Sequence, residues 1–208
     1  MVAGGNTGNV FPDSITTDRL RLQRCCRDNV SVRELYAAAS RRNDHIEEVT
    51  EHLSWNPHDS MKVSRDTLAL FEEGWDDGEV ATYAIRPREG EDGAGELAGT
   101  CGLTCQWDQD CATLGLWLRK RFWGRGYSGE RADALLELAF DDLDLGVVAV
   151  THHAGNENSE RAIRKYVDAN GGRREALLRH HGESPEGPVD EVRYTVSQAE
   201  WRAANGRE

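Results

Sequence analysis

The chain has 208 residues, 38% hydrophobic and 30% charged, with 37 acidic against 25 basic side chains and a formal net charge of -12. That balance fits one globular domain large enough to bury a core, while a surface of this sign repels phosphate backbones and anionic lipid, so neither nucleic acid nor membrane is an expected partner. No stretch approaches the roughly 20 continuous apolar residues of a membrane span.

The opening MVAGGNTGNVFPDS lacks the basic flank and apolar run of a secretory signal, which points to the cytoplasm. Rich in Gly and Asn, residues 1–14 read as a flexible tail ahead of a single domain, 15–208. In TTDRLRLQRC, Leu20 and Leu22 alternate with Arg19 and Arg21, the period of a half-buried strand. Asp28 is placed to cap a helix carrying Val32, Leu35 and Tyr36. A second helical region follows through IEEVTEHL, and a third starts at Asp59 or Ser60, with Leu68, Phe71 and Trp75 on one face.

The middle of the chain is strands. VATYAIRPR, ELAGTCGLTCQW and CATLGLWLRK predict an antiparallel meander, in which Leu97, Gly99, Cys101, Leu103 and Cys105 share a face. RFWGRGYSG then opens a helix with Ala132, Leu135, Leu136, Ala139 and Phe140 at helical spacing, and the apolar strand VVAVTHH follows. A helix over about 156–170 and two strands, EALLRH and VRYTVS, complete a mixed sheet. Five cysteines (Cys25, Cys26, Cys101, Cys105, Cys111) include no CxxC pair and no histidine at ligand spacing, so they read as reduced, mostly buried thiols, with no metal site. Lys62, Lys120 and Lys165 are the only lysines; an acid-rich, lysine-poor surface suits a cytosol of high salt, the alternative being an ordinary acidic protein.

The loop Arg121 to Gly129 carries the chemistry. Successive backbone N–H groups converging at a helix N-terminus bind a diphosphate without lysines, and Gly124 and Gly126 leave the main chain uncovered for it. Ser128 and Gly129 open the helix, and Arg121 and Arg125 add positive charge. RxxGxG alone is a weak pattern, and a glycine-rich corner is the bland alternative; the strand before the loop and the helix and strand after it give it weight. There is no GxGxxG of a dinucleotide fold and no GK[ST] of a Walker loop.

With TTDRLRL, GLWLRKRFWGRGYSGE, the run Asn156 to Ser159 and the ending VDEVRYTVSQAEW, the chain resembles the GNAT superfamily of N-acetyltransferases, in its RimJ/RimL-like branch. The resemblance implies an α/β acyl-CoA N-acyltransferase fold: a mixed, strongly bent, mostly antiparallel sheet of six to seven strands flanked by helices, with two central strands splayed apart. It also implies acetyl-CoA as co-substrate and an amine acceptor, a protein or peptide N-terminus first and a small basic amine such as a polyamine or aminoglycoside second. A non-catalytic acetyl-CoA sensor is the competing class, and either a monomer or a homodimer is compatible.

Site residues follow from the same resemblance. Main-chain groups of Leu116, Trp117, Leu118 and Arg119 bind the pantetheine arm; Arg121, Gly124, Arg125, Gly126, Tyr127, Ser128 and Gly129 hold the phosphates; Asn156 bridges to the arm. Ser159 sits where this branch places a hydroxyl near the cofactor sulfur, although Ser and Asn there also serve as helix caps. Where many relatives carry a tyrosine acid this chain has Ile163, and Tyr166 either substitutes for it or is a core tyrosine. The base is open: Thr113, His152 or His153, His180, His181 and Glu183 are candidates, and adjacent residues on a strand face opposite sides, so at most one of His152 and His153 reaches the cleft. Trp55 and Pro57 are expected to wall the acceptor side. Glu47, Glu48 and Glu51 either attract a cationic amine or form a solvated helix face.

Overall fold

The alternation around Leu20 and Leu22 produces a strand, Leu20–Arg24 (β2), in which both leucines are fully buried. In the computed structural model, which describes residues 9–184 and 187–207, a short strand Ser14–Thr16 (β1) pairs with it antiparallel. Part of the expected tail, residues 1–14, is packed on the fold. Phe11 is buried edge-on against Trp75 at 5.4 Å, and the Tyr83 hydroxyl donates to the Pro12 carbonyl; the rest of that tail, residues 1–8, lies outside the described residues.

Three helices follow: Val32–Ala39 (α1), Ile46–Thr50 (α2) and Met61–Asp76 (α3). Ser31, not Asp28, caps α1, its hydroxyl accepting from the Glu34 amide, because residues 26–30 are taken up by a turn in which the Asn29 and Val30 amides bond the Cys26 carbonyl. The meander forms as read: Val80–Pro87 (β3), Gly99–Gln106 (β4) and Cys111–Leu118 (β5) pair antiparallel in succession. Leu97 precedes β4 and packs with Leu35 and Leu68, away from the face of Cys101, Leu103 and Cys105.

The helix Tyr127–Glu137 (α4) runs on through a wider turn, Leu138–Asp142, into Val147–His153 (β6). Glu157–Ala169 (α5), the hairpin Arg173–Ser184 (β7) and Gly187–Ser197 (β8), and Gln198–Ala204 (α6) complete the chain. The sheet therefore has eight strands, in the order β1-β2-β3-β4-β5-β6-β8-β7, rather than six or seven. A three-residue strand such as β1 is too short to show a period. Strand β7 outruns EALLRH because its pairing with β8 passes two register shifts, which break the alternation that would mark it in sequence.

Every neighbouring pair is antiparallel except β5 and β6, which pair in parallel at Cys111 with Val147, Ala112 with Val148 and Thr113 with Ala149. Past those three pairs the two strands part. On one face α4 and α5 press Leu135, Leu136, Ile163 and Val167 into a core with Leu103, Leu114 and Val150; on the other, Leu35, Ala38 and Leu68 of α1 and α3 pack with Ala84 and Leu97. All five cysteines are free thiols, four of them buried, and burial pushes Cys25 and Cys101 up to about 12, so neither is a nucleophile near neutral pH. Among the described residues no helix is long and apolar enough to cross a membrane.

Candidate active site

The parting of β5 and β6 opens a cleft of about 1140 Å³ between them. Peptide groups alternate along a strand. The Arg119 amide donates to the Ala98 carbonyl on the β4 side at 2.8 Å, so the main-chain groups of Leu118 and Leu116 turn the other way, into the gap. The Leu118 carbonyl is met there by the indole N–H of Trp123 at 2.8 Å. Leu116, Trp117 and Leu118 all line the cleft, but the main-chain groups of Trp117, paired with Thr100, face β4, so of these three only Leu116 and Leu118 turn main-chain groups into the gap. Arg119 does not: its amide belongs to the β4 side, and its guanidinium bonds Asn43, Glu96 and the Leu97 carbonyl.

Side chains on β5 alternate across the sheet. Leu114, Leu116 and Leu118 face α4 and α5, whereas Trp117 faces the early helices and meets the ring of Trp55 edge-on at 5.3 Å. Trp55 also packs on buried His58, and neither Trp55 nor Pro57 lines the cleft. On that side of the sheet the cleft is lined instead by the end of α2 and the residues after it, with Glu48, Val49, Glu51 and His52.

The loop turns as the glycines require. Gly124 at φ 74° and Gly126 at φ 81° occupy the left-handed region, and a Cβ on Gly124 would meet nothing within 4 Å, so it borders open space. Gly126 is the N-cap of α4 and its carbonyl takes the amides of Gly129 and Glu130. Among the described residues, no protein acceptor bonds the amides of Gly124, Arg125, Gly126, Tyr127 or Ser128. Five consecutive unspent N–H groups at a helix N-terminus form an anion cradle, and Gly124, Gly126, Tyr127, Ser128 and Gly129 all line the cleft. A diphosphate fits these residues.

The loop arginines point elsewhere. Arg125 bonds both the carboxylate and the carbonyl of Asp92, Arg121 pairs with Glu96 and Asp92, and both guanidinium groups lie over the Phe122 ring; neither lines the cleft. Their sequence spacing suggested phosphate ligands, but the acidic β3–β4 turn, which is remote in sequence, captures them. Tyr127 lends its amide only, since its hydroxyl donates to Glu91 at 2.6 Å.

At the other wall, Asn156 caps α5, its Oδ1 accepting from the Ser159 amide at 3.1 Å. Of the capping candidates Asn156, Asn158 and Ser159, it is Asn156 that caps the helix. Ser159 lines the cleft, and its hydroxyl has no hydrogen-bond partner among the described residues. Ile163 lines it as well. Tyr166 forms part of the floor with its hydroxyl buried and unpartnered, and burial raises its pKa.

His152 is not in the cleft. It lies on the core side of β6, stacked on Tyr194 at 5.9 Å with Nδ1 at the His153 carbonyl. Alternation turns His153 the other way, where it meets the ring of His52 edge-on at 6.0 Å; burial lowers the pKa of His153. Thr113 sits in the paired stretch of β5, and His180, His181 and Glu183 lie on the β7–β8 hairpin; none of the four lines the cleft.

Arg19, His52 and Arg131 are among the cleft residues that the sequence reading did not single out. Arg19, at the start of β2, lines the cleft beside Gly126 and is held by Glu130. His52 ends the α2 wall. Arg131 is buried in α4 among Ala132 and Leu135, and a charge within an apolar stripe was its available signal.

A mixed sheet parted at one parallel pair, with a cradle of free amides at the head of the crossover helix, defines an acyl-CoA N-acyltransferase fold. Residues 19–166 match the acetyltransferase (GNAT) domain family, and the chain belongs to that family. It is 21% identical over 155 residues to the uncharacterized N-acetyltransferase p20 of Bacillus licheniformis, covering 74% of this chain and 83% of that one. The same fold is seen in RimL, a ribosomal L7/L12 alpha-N-protein acetyltransferase in complex with coenzyme A (TM-score 0.74, 17% identity, 88% of this chain and 97% of that one). It is seen also in the microcin C7 self-immunity acetyltransferase MccE in complex with acetyl-CoA and AMP (TM-score 0.76, 15% identity, 91% and 98%).

Proposed function

We propose that the chain transfers the acetyl group of acetyl-CoA directly to a primary amine, with the N-terminus of a protein or peptide as first acceptor class. The observation that carries this is the joining of two features in one cleft: the main-chain groups of Leu116 turned into the gap, and the unspent amides of residues 124–128 at its end. The first suits the pantetheine arm and the second the diphosphate. The co-substrate supplies an activated thioester, and the chain's residues position it and handle protons.

The amine reacts as the free base. His52, on the cleft wall with the ring of His153 packed edge-on behind it, is our candidate imidazole for taking the amine's proton. Ser159, with its hydroxyl uncommitted, is placed to donate to the departing thiolate. Its position is secured by the Asn156 cap.

A specific observation favours a small cationic amine as second acceptor class, since Glu48 and Glu51 line the acceptor wall. Lys120 and His45 hold the Glu48 carboxyl below its ordinary pKa, so it is anionic at neutral pH. The acidic, lysine-poor composition supports action at high salt. Mass spectrometry of acceptors incubated with acetyl-CoA and the protein, at low and molar KCl, tests all of this. Acetylation of peptide N-termini is expected to outpace that of polyamines or aminoglycosides. The reverse order would replace the first acceptor class by the second, and tight acetyl-CoA binding without any acetylated product would indicate a sensor.

A further inference from the structure

Arg131 is 2% exposed, and no ion pair or hydrogen bond reaches its Nε or Nη1 among the described residues. It is no ordinary structural arginine. Buried guanidinium groups are nearly always paired, because an unpaired charge in a low-dielectric interior is severely destabilising. Its visible company is Tyr166, whose ring lies 5.5 Å from the guanidinium carbon and whose buried hydroxyl feels the guanidinium charge without a well-formed hydrogen bond to any group. The neighbouring carboxylate on α4, Asp133, makes no ion pair with it and accepts from Asn170 instead, and burial raises its pKa.

Its place in the fold says what the charge is for. Arg131 lies four residues after Tyr127, the first residue of α4, and long side chains on a helix lean toward its N-terminus. Tyr166 lies under the same helix start, since a Cβ on Gly129 would be 3.9 Å from the Tyr166 Cβ. Both line the cleft. Of the other cations near the cradle, Arg121 and Arg125 are engaged by Asp92 and Glu96 and Arg19 by Glu130, while Arg161 and Lys165 of α5, which also line the cleft, are solvent-exposed rather than buried.

We infer that Arg131, steadied on the Tyr166 ring, is the buried counter-charge of the diphosphate cradle, so that the guanidinium left unpaired by the protein is paired by the diphosphate of coenzyme A. The inference rests on the reading that coenzyme A occupies this cleft. A charge beneath the amides, shielded from solvent, is screened little by salt, unlike surface arginines. That suits a chain whose surface repels anions.

The test is calorimetric titration of wild type and Arg131→Met with CoA, dephospho-CoA and pantetheine, together with melting of the unliganded proteins. Met keeps much of the volume and removes the charge. Arg131→Met is expected to lose at least 30-fold in affinity for CoA and for dephospho-CoA alike, to bind pantetheine as wild type does, and to melt at or above the wild-type temperature without ligand. Arg131→Lys keeps the charge and is expected to retain most of the affinity. Affinity of Arg131→Met for CoA within threefold of wild type, or an equal loss for pantetheine, overturns the assignment. So does a marked fall in unliganded melting temperature for Arg131→Met without a selective loss of the diphosphate ligands. If Arg131→Met does not fold, an Arg131→Lys protein that folds and binds CoA 30-fold more weakly likewise overturns it. Failure of wild type itself to bind CoA removes the underlying reading, and the inference with it.

Discussion

Asp92 holds Arg125 at two points, its carboxylate 2.8 Å from Nη2 and its carbonyl 2.9 Å from Nη1, and so turns the arginine of the glycine loop away from the cleft. The pair lies at the surface, where an ion pair orients a side chain more than it stabilises the fold. Its consequence, in the proposed reading, is that the loop's own arginines leave the diphosphate to the main-chain amides and to Arg131 beneath them. Arg125→Ala is therefore expected to change CoA affinity less than threefold, whereas Gly124→Glu, which projects a carboxylate from an open left-handed position, should lower it at least 100-fold. Titration of the two variants separates a backbone cradle from an arginine clamp; equal losses would favour the clamp.

Asn156 and Ser159 divide a cap and a hydroxyl between them. Asn156→Ala removes the acceptor for the Ser159 amide and should cost about 1 kcal/mol in chemical denaturation. Ser159→Ala keeps that amide and should leave stability within about 0.5 kcal/mol of wild type while lowering kcat about tenfold or more. Ser159→Ala with an unaltered kcat would remove the hydroxyl from the chemistry.

His52 and His153 predict a pH signature. If His52 takes the amine's proton, His52→Gln should lower kcat/KM at neutral pH about 100-fold and flatten the acid limb of its pH profile. His152→Gln, on the core side of β6, should leave the shape of the profile unchanged. Identical profiles for wild type and His52→Gln would return the proton to solvent.

Stability should follow pH through the buried imidazoles. Burial lowers the pKa of His58 and of His153 from the ordinary 6.5, so the unfolded chain binds these protons first. Their contribution is complete above pH 6.5 and is lost as pH falls from there through the lower folded values. Asp133 and Asp142, raised by burial, act in the opposite sense and nearer the carboxylate range. Denaturation midpoints between pH 7.5 and pH 5.5 should fall for wild type, and fall less for His153→Gln.

Much of this architecture is legible in the sequence where periods are long and local. The β3–β5 meander, the crossover through α4 and the capping run at Asn156 follow from alternation, helical spacing and cap chemistry. What the sequence does not show depends on contacts distant along the chain. Arg121 and Arg125 look like phosphate ligands until the β3–β4 turn supplies Asp92 and Glu96. Trp55 looks like an acceptor wall until Trp117 comes between it and the cleft. The choice between His152 and His153 needs the face of β6, which an apolar strand buried on both sides does not reveal by alternation. Strand β1 owes its existence to pairing with β2 rather than to any pattern of its own.

The most direct measurement of the central claim is release of CoA thiol from acetyl-CoA in the presence of N-terminal peptides, comparing wild type with Gly124→Glu. Acetyl transfer in the β5–β6 cleft predicts release by wild type well above buffer, dependent on the peptide amine, and release at the buffer rate with Gly124→Glu. Peptide-dependent release that survives Gly124→Glu undiminished would contradict the placement of the co-substrate on this loop.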